Sequence, residues 1–423
     1  MSKVVKGKYT AEAVAGFTHR TAMEEAARCL LCHDAPCSKG CPAGTDPGKF
    51  IRSIRFRNVK GAAETIRQNN ILGGSCARIC PYDNLCEEAC SRCGIDRPIE
   101  IGKLQRYAIE QEKLFKMKTL EAPKEKKPGK IACVGAGPAS LACAAELAKE
   151  GYKVTIFERE AKAGGVMTYG ITPARLPQAV VDHDIAQVRG LGVKFVFNKE
   201  VVEEDLKDFD AVFIGAGLWN AKLNLHEFPG AELKGVCSAI DFLKEARTKK
   251  KDFDPGKRVV VVGGGDVAVD CAVTAKLLGA EDVRILYRRS IEEAPANMNE
   301  FQYALSLGIG ITTGLYPVAA TGTKTKIKKV EAMGFYDKGA KAEFSVDTLV
   351  FATGQAPEDM SKIAPVKLDA KKGFIKATKG KAGDKYFAGG DIVNGGTTVV
   401  QAVAEGKEAA AAMIEYLEKK GVK

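Results

Sequence analysis

The hydrophobic and polar positions follow different patterns before and after residue 130. In the first part, TAMEEAARCLLC and FIRSIRFRNVKGAAETIRQNN place apolar residues three and four positions apart, which predicts helices. Segments rich in Pro, Gly and Cys predict loops between them. In the second part, short apolar runs open into Gly-rich turns and then into helical patterns. That order predicts βαβ units of a parallel sheet, and it occurs twice.

The first βαβ pattern carries the residues of a dinucleotide site. It reads KIACVGAGPASLACAAELAKEGYKVTIFERE and contains Gly135-x-Gly137-x-x-Ser140, with Glu158 at the end of the second strand. The glycines let the backbone approach a pyrophosphate, the helix start offers N–H groups to it, and the acid can bind ribose hydroxyls. Ser140 replaces the usual third Gly or Ala but is small enough for close helix packing. We therefore predict a dinucleotide site here.

The second βαβ pattern differs from the first at the end of its second strand. It reads KRVVVVGGGDVAVDCAVTAKLLGAEDVRILYRRS and contains Gly263-x-Gly265-x-x-Ala268. Its second strand ends in Arg288 and Arg289, and no acid stands there. This pattern predicts a second dinucleotide site.

Three further segments have the form of strands that return the chain to these sites. DAVFIGAG ends at Gly217, and TLVFATG ends at Gly354. FAGGDIVNGGTTVVQAVAEGKEAAAAM places Gly390 and Asp391 after a strand and Thr398 before a helix. Asp391 can bind a ribityl or ribose hydroxyl, and the helix start can face a flavin ring. The alternative is a turn followed by an ordinary C-terminal helix.

The cysteines divide the chain at the same place as the hydrophobic pattern. Nine of the thirteen lie before residue 94, none lies between Cys93 and Cys133, and the basic connector KMKTLEAPKEKKPGK follows the first group. The predicted fold is α/β, with an N-terminal helical domain followed by two Rossmann-like nucleotide-binding domains. The expected boundaries are 1–127 for the helical domain, 128–224 and 356–423 for the first nucleotide-binding domain, and 225–355 for the second, inserted domain.

Composition and charge narrow the function classes. The chain has 423 residues, 45% hydrophobic and 28% charged, enough for two or three globular domains. Its formal net charge is +11, but Lys and Arg are spread out without an aromatic–basic motif, so nucleic-acid binding is not favoured. The start lacks the apolar core of a secretion signal, and we expect no membrane span. A cytoplasmic location is therefore expected, where thiols stay reduced.

Two dinucleotide sites in one chain suggest a flavin and a nicotinamide, between which hydride passes directly. Such chemistry needs no protein nucleophile, and we predict no catalytic side chain. The sequence contains no GxSxG or HExxH motif and only four histidines, so hydrolytic and metal–histidine mechanisms lack support. His33, beside Cys32, is interpreted as a loop residue rather than a ligand.

The spacing of the N-terminal cysteines indicates bound metal. Cys29-x2-Cys32-x4-Cys37-x3-Cys41-Pro42 resembles the ferredoxin run, in which the thiol before proline serves a different cluster from the other three. Four later cysteines, Cys76, Cys80, Cys86 and Cys90, supply further thiols. Structural zinc is the alternative, but electron-transfer clusters fit better beside a flavin. We assign no role to Cys93, Cys133, Cys143, Cys237 or Cys271.

Three segments carry a family resemblance: APCSKGCPAGTDPGKFIRSIRFRNVKGAAETIR, CARICPYDNLCEEACS and IEIGKLQRY. They resemble the flavin subunit of bacterial dihydropyrimidine dehydrogenases, and the resemblance covers nearly the whole chain. The same module forms the N-terminal half of the animal enzymes and is more distantly similar to the small subunit of glutamate synthase. The gap between Cys80 and Cys86 matches the dihydropyrimidine dehydrogenases, because the glutamate synthase type is tighter there.

The resemblance implies ligands for FAD, a nicotinamide nucleotide and two 4Fe-4S clusters. The first cluster falls on Cys29, Cys32, Cys37 and Cys90, and the second on Cys41, Cys80, Cys86 and the amide of Gln105. FAD falls on Gly137, Glu158, Gly165, Arg175, Asp391 and Thr398, and the nicotinamide nucleotide on Gly264, Gly265, Asp266, Arg288 and Gly354.

The resemblance also implies an electron-input subunit. NAD(P)H would reduce FAD, and the clusters would carry single electrons to an FMN-containing partner subunit that reduces uracil or thymine. No pyrimidine site is expected before residue 423. The alternatives are the electron-input subunit of glutamate synthase or of a ferredoxin-linked transhydrogenase, and, from another class, a zinc scaffold without catalysis.

The choice of nicotinamide nucleotide is open between two arguments. The family expectation is NADH. Arg288 and Arg289, however, stand where an NAD site places an acid, and guanidinium groups match phosphate geometry, which favours NADPH. Glu292 and Glu293 could neutralise the arginines, and an arginine there could instead stack on adenine. The residues therefore favour NADPH, with NADH as the alternative.

Overall fold

The computed structural model describes residues 9–222, 227–249, 252–323 and 325–421. The part before residue 130 is helical, with 3₁₀ turns at Tyr82–Asn84 and Ser91–Gly94. Its α-helices are α1 His19–Ala27, α2 Pro36–Lys39, α3 Pro47–Arg55, α4 Val59–Asn69, α5 Gly73–Ile79 and α6 Ile101–Leu114.

Strands and helices alternate in the next part of the chain. In order they are β1 Lys130–Val134, α7 Pro138–Lys149, β2 Lys153–Phe157, α8 Val166–Tyr169, α9 Gln178–Gly190, β3 Lys194–Val196, β4 Ala211–Ile214, β5 Asn220–Ala221, β6 Val236–Ser238, α10 Ala239–Lys249, β7 Arg258–Val262, α11 Asp266–Leu277, β8 Asp282–Tyr287 and α12 Met298–Ser306. Three further 3₁₀ turns are Glu203–Leu206, Ile291–Glu293 and Met360–Lys362.

Strands dominate the last part of the chain until two helices close it. The remaining elements are β9 Gly310–Thr313, β10 Leu315–Thr323, β11 Lys326–Gly334, β12 Lys341–Ser345, β13 Thr348–Phe351, β14 Gln355–Ala356, β15 Tyr386–Ala388, α13 Asp391–Asn394 and α14 Val399–Lys419. In the described part of the chain, no helix is long and apolar enough to cross a lipid bilayer.

The larger of two compact units contains the helical region and one parallel sheet. It comprises Val14–Thr168, Gln178–Leu218 and the chain from Pro357 onward. Its sheet has the order β15-β4-β1-β2-β3 with every neighbouring pair parallel. Four of the five residues of β1 are buried, as expected of a central strand covered on both faces.

The smaller unit contains the second parallel sheet. It comprises the chain through Ala13, Tyr169–Pro177 and Trp219–Ala356. Its main sheet has the order β6-β13-β7-β8-β9, and every neighbouring pair is parallel. The next strands along the chain after β9 form a separate antiparallel sheet of the order β10-β11-β12. β5 pairs with β14. The predicted α/β fold, with a helical N-terminal region and two Rossmann-like parallel sheets, is confirmed.

Two predicted helices are interrupted in the structure. The continuous pattern from Phe50 to Asn70 is split between α3 and α4, because Arg57 adopts a φ of +61° and the Asn58 side chain accepts the Gly61 N–H at 2.9 Å to cap α4. The helix predicted through Cys32 ends at Ala27, so the first cysteines lie in a loop.

A buried ionic network joins three helices of the larger unit. Arg67 of α4 has no exposed side-chain surface, and its guanidinium binds Glu112 of α6 at 2.7 Å and Asp184 of α9 at 2.6 Å. Burial alone would raise the pKa of Glu112, but hydrogen bonds from His183 and Arg67 lower it to about 2. Paired in this way, the three charged side chains are buried almost completely.

Asp184 also fixes the start of α5. Its carboxylate accepts the Gly74 N–H at 3.2 Å and both the N–H and the hydroxyl of Ser75 at 2.7 Å. A Cβ at Gly74 would lie 2.8 Å from the carboxylate, so glycine is required for this close approach. An acid from α9 therefore caps the helix that leads to Cys80.

Replacing Arg67 with Met is expected to lower the free energy of unfolding by about 3 to 5 kcal/mol, because two buried acids lose their cation. Urea denaturation followed by circular dichroism measures this loss. Lys60→Met is the control: Lys60 lies on the same helix, and its ion pair with Glu64 is exposed, so its loss is expected to cost about 1 kcal/mol or less. Equal effects of the two substitutions would contradict a structural role for the buried network.

Candidate functional site

The first glycine-rich turn lies at the carboxyl end of β1. Gly135 has a φ of +87°, and a Cβ there would lie 2.8 Å from the Gly215 oxygen. Gly137 is the N-cap of α7, and a Cβ there would have no neighbour nearer than 3.9 Å. The first N–H groups of a helix have no partner within it, and here they border open space. The turn has the form that a pyrophosphate requires.

Glu158 is held rigidly beside this turn. The side chain is buried, and its carboxylate accepts the Ala136 N–H at 2.7 Å and the Glu160 N–H at 2.9 Å. Burial raises the pKa of Glu158, and the two hydrogen bonds offset only part of that rise. Each oxygen keeps a lone pair, so the carboxylate at the end of β2 can accept a ribose hydroxyl.

Two further predicted glycines lie at the same edge of the sheet. Gly165 has a φ of +52°, and a Cβ there would lie 3.0 Å from the Gly137 Cα. Gly217 has a φ of +70° and follows β4, the neighbour of β1. Because the carboxyl ends of parallel strands meet at one edge, the sheet brings these turns together.

The C-terminal motif completes this edge. A Cβ at Gly390 would lie 2.9 Å from the Ala139 Cβ in the first turn of α7. Asp391 begins α13, and burial raises the pKa of its carboxyl. Thr398 is the N-cap of α14, where its hydroxyl accepts the Gln401 N–H at 3.2 Å.

Ser140 occupies the third position of the glycine motif. Its side chain is fully buried, and its hydroxyl has no hydrogen-bond partner among the described residues. A Cβ at Gly215 would lie 2.4 Å from that hydroxyl oxygen, so α7 packs against the end of β4 only because both residues are small. The close packing, the open glycine turn and the orphan hydroxyl fit a dinucleotide such as FAD.

Arg175 is the one predicted flavin ligand that lies in the smaller unit. Its guanidinium binds Asp270 of α11 at 3.0 Å and Glu300 of α12 at 2.8 Å. Burial would lower the pKa of Arg175, but the two carboxylates outweigh it and raise the pKa. Arg175 and both of its ion-pair partners thus lie in the smaller unit.

The second glycine-rich turn lies at the carboxyl end of β7. A Cβ at Gly264 would lie 2.5 Å from the Tyr287 ring, whereas a Cβ at Gly265, the N-cap of α11, would have no neighbour nearer than 3.8 Å. Asp266 begins α11 and accepts the Asn297 N–H at 3.0 Å. Gly354, with a φ of +107°, follows β13, which pairs with β7. This edge has the same form as the first.

Arg288 and Arg289 follow directly on β8. The Arg288 guanidinium lies 5.6 Å from the centre of the Phe335 ring, within range of a cation–π interaction. The Glu293 carboxylate accepts hydrogen bonds from the Tyr336 hydroxyl and the Ser290 N–H, which lower its pKa, and the charge of Arg289 lowers it further. Arg288 thus stacks on an aromatic ring, and the charge of Arg289 is felt by a carboxylate.

The four thiols of the first set, Cys29, Cys32, Cys37 and Cys90, lie together and are each partly exposed. Burial raises the pKa of Cys37 to about 11, and the negative charges of Cys90 and Cys29 add to the rise. Burial also raises the pKa of Cys29, again with Cys90 and Cys32 contributing. Close thiols resist joint ionisation in this way unless a cation binds them, as iron does.

The second thiol set, Cys41, Cys76, Cys80 and Cys86, lines a cavity that Gln105 and Val400 also border. The pKa of Cys80 is raised, first by a hydrogen bond with Cys76, then by burial and by Cys86 and Cys41. Gln105 is buried, and its Nε2 donates to the Gly73 oxygen at 2.7 Å, which leaves its amide oxygen for the cavity. Cys76 is absent from the ligand set implied by resemblance, although its spacing from Cys80 placed it in the same motif.

Among the described residues, no three His, Cys, Asp or Glu side chains are placed to bind a single metal ion. In a 4Fe-4S cluster each thiolate binds a different iron atom, so its ligands stand further apart.

Comparison with known proteins identifies both parts of the chain. Residues 6–117 match the family described as dihydropyrimidine dehydrogenase domain II, 4Fe-4S cluster, and residues 129–406 match the pyridine nucleotide-disulphide oxidoreductases. The NAD-dependent dihydropyrimidine dehydrogenase subunit PreT of Escherichia coli is 44% identical over 418 residues, covering 97% of this chain and 98% of that protein. The chain belongs to the dihydropyrimidine dehydrogenase subunit family. The resemblance seen in the cysteine segments is thus confirmed.

Two further proteins are similar to the chain at lower sequence identity. The glutamate synthase [NADPH] small chain of Escherichia coli is 33% identical over 442 residues, covering 95% of this chain and 93% of that protein. The thioredoxin reductase of Lactococcus lactis is 21% identical with a TM-score of 0.57, covering 69% of this chain and 99% of that one, and it shows the fold alone. The chain is an oxidoreductase with an iron–sulfur region and a pyridine-nucleotide oxidoreductase region.

Proposed function

We propose that the chain is the electron-input subunit of a dihydropyrimidine dehydrogenase. It oxidises NAD(P)H at FAD and passes single electrons through two 4Fe-4S clusters to a partner subunit that reduces uracil or thymine. For uracil the balance is NAD(P)H + H⁺ + uracil → NAD(P)⁺ + 5,6-dihydrouracil. The observation that carries the proposal is that one compact unit holds both the first glycine-rich edge and the two thiol sets.

The residues at the first edge would hold FAD, which accepts a hydride and releases its electrons singly. Gly135, Gly137 and Gly165 give the pyrophosphate access to the backbone. Glu158 accepts the ribose hydroxyls. The residues Gly217, Gly390, Asp391 and Thr398 would border the remainder of the cofactor, with the α14 N-terminus facing the ring.

The two thiol sets form a chain of neighbours from this edge to the surface. Val400, two residues after Thr398, lines the cavity of the second thiol set. The charge of Cys37, from the first set, raises the pKa of Cys86 in the second, after burial, Glu87 and Cys41. The second set therefore lies between the flavin edge and the first set. We propose that a cluster on the second set accepts each electron from the flavin and passes it to a cluster on the first set.

We keep the ligand partition in which Cys29, Cys32, Cys37 and Cys90 hold one cluster and Cys41, Cys80, Cys86 and Gln105 hold the other. The convergence of the four thiols of the first set supports the first assignment. The position of Gln105 on the second cavity supports the second. We likewise keep 1–127, 128–224, 225–355 and 356–423 as the domain boundaries, supported by the family matches to 6–117 and 129–406.

For the nicotinamide nucleotide, the residues Gly264, Gly265, Asp266 and Gly354 would border the pyrophosphate and nicotinamide. Arg288 and Arg289 favour NADPH by their chemistry. The stacking of Arg288 on Phe335 and the charge of Glu293 near Arg289 weaken that argument. The relative at 44% identity is named NAD-dependent, whereas the one at 33% is named for NADPH. We therefore propose NADH as the physiological reductant, with NADPH as the competing substrate.

Replacing Arg288 and Arg289 with Ala is expected to raise the KM for NADPH by about tenfold or more and to change the KM for NADH little. The reason is that a hydrogen bond to a charged group contributes about 1.5 to 3 kcal/mol, and only NADPH carries the 2′-phosphate. Steady-state kinetics with an artificial acceptor measures both constants. Arg284→Ala is the control, since Arg284 lies on the same strand and stacks on Phe344. A wild-type preference for NADPH would overturn the choice of NADH.

The partner is proposed to carry FMN and the pyrimidine site, and the location is proposed to be the cytoplasm. In support of a reducing compartment, the proposed cluster ligands are cysteine thiolates, which have to stay free of disulfides. Reconstitution with the pyrimidine-reducing subunit tests the acceptor: NADH oxidation that depends on uracil supports the proposal. Oxidation that depends instead on a glutamate synthase large subunit would point to the alternative suggested by the relative at 33% identity.

A further inference from the structure

A surface with exposed apolar and basic side chains borders the first thiol set. Leu30 lies between Cys29 and Cys32 and is 47% exposed, and Phe56, at the end of α3, is 68% exposed. Ile95, five residues after Cys90, is 63% exposed. Large apolar side chains that stay in water around a redox centre need an explanation beyond folding.

Hydrogen bonds join the segments next to Phe56 and Ile95 to the backbone of the cysteine loop. The Arg55 guanidinium, next to Phe56, donates to the Cys29 oxygen at 2.7 Å. The Arg92 guanidinium, close to Ile95, donates to the Arg28 oxygen at 2.8 Å. The end of α3 and the turn after Cys90 are therefore both fixed to the start of the loop that carries Leu30.

The charge of this surface is positive. Arg52 and Arg57 are exposed, and within the described ranges neither forms an ion pair. Two acids of the flanking segments are paired, because Asp96 binds Arg28 and Arg92 and Asp34 binds Lys39. Arginine and aromatic side chains with aliphatic neighbours are the composition that protein interfaces favour.

We propose that Leu30, Arg52, Arg55, Phe56, Arg57 and Ile95 form the electron-exit surface, which docks an acidic face of the pyrimidine-reducing partner subunit. This inference rests on the proposed function and adds the surface through which electrons leave. Electron transfer requires a short distance, so a partner has to dock beside a thiol set, and the first set is the one with all four thiols partly exposed. A second copy of this chain is a poor occupant, because two copies of the arginine surface repel each other.

The test uses the full cofactor-loaded chain with the double variant R52E/R57E and, separately, Phe56→Ala. The charge-matched control is K328E/K341E, which reverses two exposed lysines on β11 and β12. Three quantities are measured: the partner concentration that gives half the maximal rate of uracil-dependent NADH oxidation, its dependence on salt, and the EPR signals of the isolated chain after reduction with NADH. The third reports the internal electron path without the partner.

For R52E/R57E we expect the required partner concentration at low salt to rise about tenfold or more, because electrostatic steering raises association rates by about 10 to 10³. The salt dependence of R52E/R57E should be weaker than that of wild type. Phe56→Ala should raise the required partner concentration at every salt concentration. The EPR signals of both variants should equal those of wild type. The control should match wild type throughout. If R52E/R57E needs the same partner concentration as wild type and keeps the same salt dependence, the assignment of the electron-exit surface is wrong.

Failure of the proposed function gives a different result. In that case the wild-type chain reduces its clusters with NADH but supports no uracil reduction at any partner concentration. Sedimentation that shows wild-type self-association lost in R52E/R57E would overturn the assignment of the partner in favour of a second copy.

Discussion

The isolated, cofactor-loaded chain is expected to oxidise NADH with artificial electron acceptors and to leave uracil unchanged. Its two parallel sheets provide one glycine-rich edge each, and we assign one edge to a flavin and the other to a nicotinamide nucleotide. The pyrimidine needs a site of its own, and we place that site on the partner. Uracil-dependent oxidation should therefore be at background for the chain alone and should appear when the partner is added.

The measurement is NADH oxidation at saturating uracil with and without the partner, followed by chromatography of dihydrouracil. Reduction of a dye by the same preparation is the control that shows the flavin is loaded. Dihydrouracil formation by the homogeneous chain alone would refute the division of labour between two subunits.

Replacing Cys41 with Ala is expected to remove one cluster and to leave the other. The reason is that Cys41 lines the cavity of the second thiol set, whereas the first set keeps all four of its thiols. Iron should fall from about eight to about four atoms per flavin, and the EPR spectrum of the reduced chain should lose the signal of one cluster. Retained flavin with no iron at all would argue against independent sites.

Cys76→Ala is the matched control for this experiment. Cys76 is buried on the same cavity and hydrogen-bonds to Cys80, yet the proposed ligand set contains Gln105 in its place. We expect the iron content of Cys76→Ala to equal that of wild type. If instead Cys76→Ala loses half of the iron and Gln105→Leu loses none, Cys76 is the fourth ligand. The assignment of Gln105, which comes from the family resemblance, is then wrong.

Sequence reasoning predicts the parts of the fold that depend on a few consecutive residues, such as a glycine turn after a strand. Gly135 and Gly390 require positive φ at strand ends, and such positions are visible as glycines after apolar runs. Because parallel strands bring their carboxyl ends to one edge, the approach of Gly390 to α7 follows from the pattern, although many residues separate them.

The parts that sequence reasoning missed depend on contacts between distant segments. Nothing near Arg67 reveals that its partners are Glu112 and Asp184, since the pairing depends on how α4, α6 and α9 pack. The ion pairs of Arg175 in the smaller unit have the same origin. Cys76 is a different case. Its spacing from Cys80 already marked it as a candidate ligand, and only the ligand set implied by the resemblance excluded it.

The cap that Asp184 places on α5 limits how the iron–sulfur region can be reused. Residues 1–127 contain Arg67 and the start of α5 but not α9, so this segment alone lacks the acid that both require. Excised at the connector, it would keep Arg67 with half of its counter-charge removed and would lose the carboxylate that accepts the first N–H groups of α5. A gene fusion that transplants these clusters onto another flavoprotein must therefore carry α9 with them or supply a carboxylate at the same point.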